Sequence, residues 1–250
     1  MSDKQNLTMV SYQNTKPFEY GMTKYFIDNE LNIHLKNPSL CFESFQSGES
    51  EIALIPVGSL PLLDAADYQI ITDFCIGSID YVRTVCLFSN QPIYTADSVY
   101  LDSDSMSSQL LTKILYKHFK KNKPQYFAGL PDDFNLKNNQ AMLLIGDKVF
   151  DLENNFEYKL DLGHEWKMMT GLPFAFAVWV AKKNVKPEIL VRLNESLKFG
   201  VQNIDQMLVE QNLVDSELHS YYKYNISFDF DDQKRAAVAR YLRLVEELNS

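Results

Sequence analysis

Residues 172–181 read Leu-Pro-Phe-Ala-Phe-Ala-Val-Trp-Val-Ala, the longest unbroken apolar run in the chain. Ten residues is about half of a membrane span, so 174–180 reads instead as a strand buried on both faces of a sheet. A second β-type run stands upstream at 82–89, Val-Arg-Thr-Val-Cys-Leu-Phe-Ser, and ends in the polar break Asn-Gln-Pro-Ile-Tyr-Thr-Ala-Asp-Ser. The two runs bracket a middle unit with its own elements. A short strand at 98–101 leads into the N-cap candidates Asp102–Ser105, and Met106, Leu110, Leu111, Ile114, Leu115 and Phe119 then recur at helical spacing. Strands at 125–127 and 141–145 follow, and a helix over 161–171 stops at Gly171.

Outside the bracket, strands at 7–12, 32–36, 51–57 and 68–76 alternate with helices at 20–28 and 38–46, the pattern of an α/β sheet. The remainder reads as helices over 187–209 and 233–248. The economical architecture is α/β with two lobes. Residues 1–92 and 180–250 form lobe I, 93–179 form lobe II, and the chain crosses out and back once. A ligand is expected in the cleft between the lobes, where concave sites usually occur.

The chain has 250 residues, with 24 basic against 33 acidic side chains and a net charge of −9. That balance argues against nucleic acid, whose phosphates are met by clustered Lys and Arg. The nearest basic cluster, Lys117, Lys120, Lys121 and Lys123, reads as the solvated end of a helix. Cys41, Cys75 and Cys86 sit among apolar neighbours and read as buried reduced thiols. The opening Met-Ser-Asp-Lys-Gln-Asn-Leu-Thr-Met-Val has no signal-type apolar core, so a cytoplasmic protein with no membrane partner is expected. No Gly-rich phosphate loop, HExxH, CxxC or GxSxG occurs, and the four histidines are scattered. His164 reads as a surface histidine. No metal, nucleotide or flavin is expected, and hence no cofactor.

Three polar clusters follow predicted strands, where α/β proteins place ligands. They are Ser11-Tyr12-Gln13-Asn14-Thr15, Gly77-Ser78, and Asp102-Ser103-Asp104-Ser105-Met106-Ser107-Ser108. Read alone, each also serves as turn or N-cap chemistry. The two aspartates of the third cluster would repel an anion unless they point away.

Taken in order, these words carry a resemblance. Val10-Ser-Tyr-Gln-Asn-Thr-Lys-Pro-Phe18, Glu51-Ile-Ala-Leu-Ile-Pro-Val-Gly-Ser-Leu60, Cys75-Ile-Gly-Ser78 with Val82-Arg-Thr-Val-Cys-Leu-Phe-Ser89, Leu101-Asp-Ser-Asp-Ser-Met-Ser-Ser108, Leu143-Leu-Ile-Gly-Asp147 and Asp161-Leu-Gly-His-Glu-Trp-Lys-Met-Met-Thr-Gly-Leu-Pro-Phe-Ala-Phe-Ala-Val-Trp179 resemble the chorismate dehydratase family of the futalosine route to menaquinone. The resemblance spans roughly residues 9–181. It departs at Gln13, where the family has Leu, and at Ile79-Asp80-Tyr81, where a Gly-Pro pair is common. It departs again at Asp104 and Met106, which replace Ser and Arg.

The resemblance implies a type II periplasmic-binding-protein-like fold and a lyase that dehydrates chorismate to 3-[(1-carboxyvinyl)oxy]benzoate. Chorismate is a dianion, so the site needs donors more than acids. Asn14 and Ser78 are the candidate catalytic residues. Ser11, Thr15, Ser103, Ser105, Ser107 and Asp147 are candidate substrate contacts. The alternative is a non-catalytic cytoplasmic binding protein for a small carboxylate on the same fold.

Overall fold

The computed structural model describes residues 4–26, 31–120, 123–214 and 217–248. Residues 27 and 28 of the helix expected over 20–28, Lys121 of the basic cluster, and the side chains of Phe119 and Lys120 lie outside that description. The chain divides into two units. Unit 1 comprises Met1–Gly77 and Ala175–Asp231, and unit 2 comprises Ser78–Phe174 and Asp232–Ser250.

Unit 1 begins with β1 (Gln5–Val10), α1 (Lys16–Tyr25), β2 (Leu31–Lys36), α2 (Pro38–Gln46), β3 (Ile52–Pro56) and β4 (Tyr68–Ser78). Unit 2 follows with β5 (Val85–Ser89), β6 (Ser98–Leu101), α3 (Met106–Leu115), β7 (Gln125–Ala128), β8 (Gln140–Ile145), α4 (Lys148–Leu152), β9 (Tyr158–Asp161) and α5 (Leu162–Thr170). The chain returns to unit 1 through β10 (Phe174–Lys182), α6 (Pro187–Gln202), α7 (Ile204–Glu210), α8 (Glu217–Tyr224) and β11 (Ser227–Asp229). It ends its described course in unit 2 with α9 (Asp232–Leu248).

The first sheet has the order β11-β4-β10-β3-β1-β2, with β1 parallel to both β2 and β3, and β10 antiparallel to β3. All but the last residue of β10 are buried, as its unbroken apolar sequence requires. The second sheet has the order β7-β6-β8-β5-β9. Its core includes Cys86, Phe88, Met142, Leu144 and Val149.

Two boundaries differ from the expected lobes. β5, assigned to lobe I by a boundary at 92, pairs antiparallel with β8 and β9 and so belongs to the second sheet. An apolar pattern says that a strand is central but not in which sheet it lies. The last helix, assigned to lobe I, belongs to unit 2. There Tyr241 is fully buried, packs edge-on against Trp166 and Phe174, and donates its hydroxyl to the Ser107 carbonyl at 3.0 Å. The chain therefore changes unit a third time, at 231/232. The helix expected over 187–209 breaks at Asn203, whose φ of −116° and ψ of 31° leave the helical region.

Helices α1 and α6 meet backbone to backbone. A Cβ on Gly21 would lie 1.9 Å from the Ser196 carbonyl oxygen, and one on Gly200 would lie 1.8 Å from that of Pro17. Cys41, Cys75 and Cys86 are buried thiols, and burial pushes that of Cys41 up to about 12. Among the described residues no helix is long and apolar enough to cross a membrane.

Candidate functional site

In unit 1, β1 ends at Val10 and the chain turns through Ser11–Thr15 before α1. Pro17 near the start of α1 fixes where that helix begins, because proline lacks the N–H an interior position would need. Three sets of bonds hold the turn. Ser11 N–H donates to the Lys36 carbonyl at 3.0 Å, and Thr15 N–H donates to that of Tyr12 at 3.1 Å. The Thr15 hydroxyl lies 2.6 Å from the Val10 carbonyl oxygen and 2.8 Å from that of Tyr12. The Tyr222 hydroxyl donates to the Gln13 carbonyl at 2.8 Å.

Asn14 stands apart from this framework. Its Oδ1 is buried and has no hydrogen-bond partner among the described residues. An unmet buried acceptor costs roughly 1–3 kcal/mol, so it calls for an explanation. Ser11, Asn14 and Thr15 thus share one turn, with different capacities. Ser11 is exposed, whereas Thr15 is buried and spends its single hydroxyl proton on backbone carbonyls.

In unit 2 the pairing directions gather several candidates at one end of the second sheet. β6 and β8 are parallel, and β5 runs antiparallel to both β8 and β9. The turns after β6 and β8, the start of α5 after β9 and the chain entering β5 therefore share that end. Ser103, Ser105, Ser107 and Asp147 are brought together there. Ser103 is exposed at the turn. Ser105 is the N-cap of α3, its Oγ accepting from the Ser108 N–H at 3.4 Å and the Ser108 hydroxyl at 3.1 Å. Ser107 is fully buried, and Asp147 is half-buried just before α4.

Ser78, the last residue of β4, has a fully buried Oγ with no partner among the described residues. It lies against the first turn of α5. A Cβ on Gly163 would stand 2.6 Å from Ser78 Oγ and 2.5 Å from the Asp80 carbonyl oxygen, so glycine alone lets α5 begin here. Asp161 organises the surroundings. Its carboxylate accepts from the N–H groups of Gly163 and His164 at the helix start, and from those of Val82 and Arg83. Burial nevertheless pushes the Asp161 carboxyl up, with those four bonds opposing the shift. His164 Nδ1 lies 2.7 Å from Asp80 Oδ1, and its ring stacks on Tyr81 with centroids 4.1 Å apart. Asp80 and Tyr81 are two of the departures noted in sequence, and both contact this one histidine.

Lys148 was missing from the sequence reading. Its ammonium lies 2.5 Å from Asp102 Oδ2 and 3.2 Å from Asp104 Oδ2, so the two aspartates are turned onto a cation. Asp102 is buried, and also accepts from the N–H groups of Asp104 and Ile145. Burial pushes its carboxyl up and Lys148 opposes that shift. The local signal was a lysine directly after a Gly-Asp turn, which becomes informative only once β6 and β8 are known to be neighbours.

Lys148→Met should leave Asp102 buried without its cation and destabilise the protein by about 2 kcal/mol, below the usual loss for a broken buried pair because Lys148 is partly exposed. Urea unfolding would show a lower midpoint at unchanged slope, and adding Asp102→Asn should restore most of the loss. A midpoint equal to wild type would show that the pair does not hold the turn.

Trp179 was also missed. Its Nε1 on β10 is buried without a partner among the described residues. A tryptophan inside a fully apolar strand was a readable warning, since a buried indole N–H usually finds an acceptor. Among the described residues no group of three or more His, Cys, Asp or Glu side chains could hold a metal ion.

Comparison with known proteins completes the description. The protein is similar in fold to AF1704 from Archaeoglobus fulgidus, at 15% identity and a TM-score of 0.76, covering 99% of this chain and 98% of that one. It is also similar to the Candida albicans CA3427 product, described as exhibiting the generic periplasmic binding protein fold. That match has 13% identity, a TM-score of 0.71 and coverage of 99% and 92%. The aliphatic sulphonate binding protein SsuA of Escherichia coli matches at 12% identity and a TM-score of 0.61, over 100% of this chain and 94% of that one. These likenesses establish the fold, a two-lobed type II periplasmic-binding-protein-like architecture. The family model described as menaquinone biosynthesis (VitK2_biosynth) matches residues 6–247, and the chain belongs to that family.

Proposed function

We propose that the protein is a cofactor-free hydro-lyase of menaquinone biosynthesis that converts chorismate into 3-[(1-carboxyvinyl)oxy]benzoate in the cytoplasm. Two findings support this reading together. One is membership of a menaquinone-biosynthesis family. The other, which carries the proposal, is that Asn14 and Ser78, polar residues of two strand-end motifs, each bury a side-chain oxygen with no partner among the described residues. A buried polar atom of this kind calls for a partner, a bound water or a polar ligand, and here both are assigned to the substrate.

The reaction breaks the ring C3–H and C4–OH bonds, gains a benzene ring and releases one water. Aromatisation provides the driving force, so the protein must mainly orient the substrate and stabilise the departing hydroxide. The Ser78 hydroxyl is the donor to that leaving oxygen. The Asn14 carboxamide is no base near neutral pH; it orients the substrate, and the enolpyruvyl carboxylate takes the C3 proton. Ser11, Ser103 and Ser105, with the start of α3, are donors for the carboxylates. Thr15 serves by fixing the Asn14 turn, because its proton is engaged. A dianion is thus met by local donors despite the −9 net charge.

The test is purified protein incubated with chorismate, following loss of its ultraviolet band and identifying the product by mass. Loss of one water at a rate proportional to protein concentration is expected. Unchanged chorismate with a raised melting temperature would overturn the lyase in favour of a binding protein, and no response at all would overturn both.

A further inference from the structure

The segment after β10 carries no sharp motif, yet one of its side chains reaches the turn that presents Asn14. Tyr222 lies on α8, is 5% exposed, and donates its hydroxyl to the Gln13 carbonyl oxygen at 2.8 Å. Gln13 O belongs to the peptide joining Gln13 to Asn14, so this bond acts on the peptide plane from which the Asn14 side chain departs. On the other side of Asn14, Thr15 fixes the turn through its own N–H and hydroxyl. The turn is thus held locally on one flank and, on the other, by a residue that follows it by most of the chain.

Such an arrangement suits a side chain whose polar atom is left open. Asn14 Oδ1 has no partner among the described residues to set its direction, so its orientation depends on the backbone that carries it. Misplacement of a reacting group by about 1 Å can cost a hundredfold in rate, which makes control of that backbone consequential. The Tyr222 ring is buried, with the Tyr221 ring centroid 5.7 Å away. Removal of the oxygen alone therefore leaves the ring to fill its place.

We infer that Tyr222 is a positioning residue for the Asn14 turn, acting through its hydrogen bond to the Gln13 carbonyl. The inference rests on the proposed role of Asn14 for its kinetic consequence, but not for its structural one.

The variant is Tyr222→Phe, examined by kinetics with chorismate and by amide hydrogen exchange. The expected kinetic result is a roughly tenfold fall in kcat with KM within about twofold of wild type. Adding Tyr222→Phe to Asn14→Ala should then cause no further loss, since both act through one group. The exchange result needs no substrate. The Thr15 amide, bonded to Tyr12 O, should exchange at least about tenfold faster while the β1 amides keep their wild-type rates. Unchanged Thr15 exchange would overturn the inference whatever the protein catalyses. Additive losses in the double variant would overturn it as well. Wild-type protein that leaves chorismate intact, combined with accelerated Thr15 exchange, would sustain the positioning role and remove only the dehydratase reading.

Discussion

Asn14→Ala is expected to lower kcat for chorismate dehydration about 10²–10³-fold, the loss usual when one preorganised polar group aimed at a transition state is removed. The same substitution should not weaken the fold. Asn14 Oδ1 is buried without a partner among the described residues, so deleting it removes a desolvation penalty and no hydrogen bond to that oxygen from those residues. The melting temperature should hold or rise by about 2–4 °C per kcal/mol relieved. The two measurements belong together, because activity lost with stability kept or gained marks a group maintained for function. A kcat within a few-fold of wild type would remove Asn14 from the chemistry. A melting temperature several degrees lower would instead make it a structural residue of the turn.

The second large effect concerns stability. Gly200→Ala places a Cβ 1.8 Å from the Pro17 carbonyl oxygen, and Gly21→Ala places one 1.9 Å from that of Ser196. Both obstacles are backbone, so no rotamer change relieves them. The helices must separate and expose the faces they now bury. In an exposed helix, Gly→Ala stabilises by about 0.5–1 kcal/mol. Here the sign should reverse, with a loss above about 4 kcal/mol that places the variant in the rare severe class. Against a domain's net stability of about 5–15 kcal/mol, that is a large share. Expression of soluble Gly200→Ala protein with a wild-type urea midpoint would show that α1 and α6 can part at little cost.

Much of this architecture was legible because periodicity reports burial directly. The α2 helix over Pro38–Gln46 and the β6 strand over Ser98–Leu101 occur where patterning predicts them, and Gly171 caps α5 with a left-handed φ of 74°. Residues 158–161 gave no strand signal, for Tyr-Lys-Leu-Asp acquires its identity by pairing with β5. The break at Asn203 was hidden because apolar positions recur on both sides of it. Nothing local in the sequence marks Gly21 and Gly200, because their meaning lies in the crossing of α1 and α6. In the candidate site, strand-end motifs pointed to Asn14 and Ser78. Lys148 and Tyr222 escaped notice because their meaning lies in distant partners, Asp102 and Gln13.

The interleaving of the two units along the chain also sets a schedule for synthesis. β10 lies between β3 and β4 in the first sheet, so that sheet stays open until residue 182 has left the ribosome. Unit 2 is no more independent, because Tyr241 fills its core from α9. The first sheet lacks β10 until residue 182 and β11 until residue 229, and unit 2 lacks α9 until later still, so β4 and one edge of β3 wait unpaired through most of elongation. Pairings made between such distant segments are slow and leave apolar edges open to misassembly. The Ser11–Thr15 turn gains its bond from Tyr222 only once residue 222 has been made, so it is completed among the last parts of unit 1.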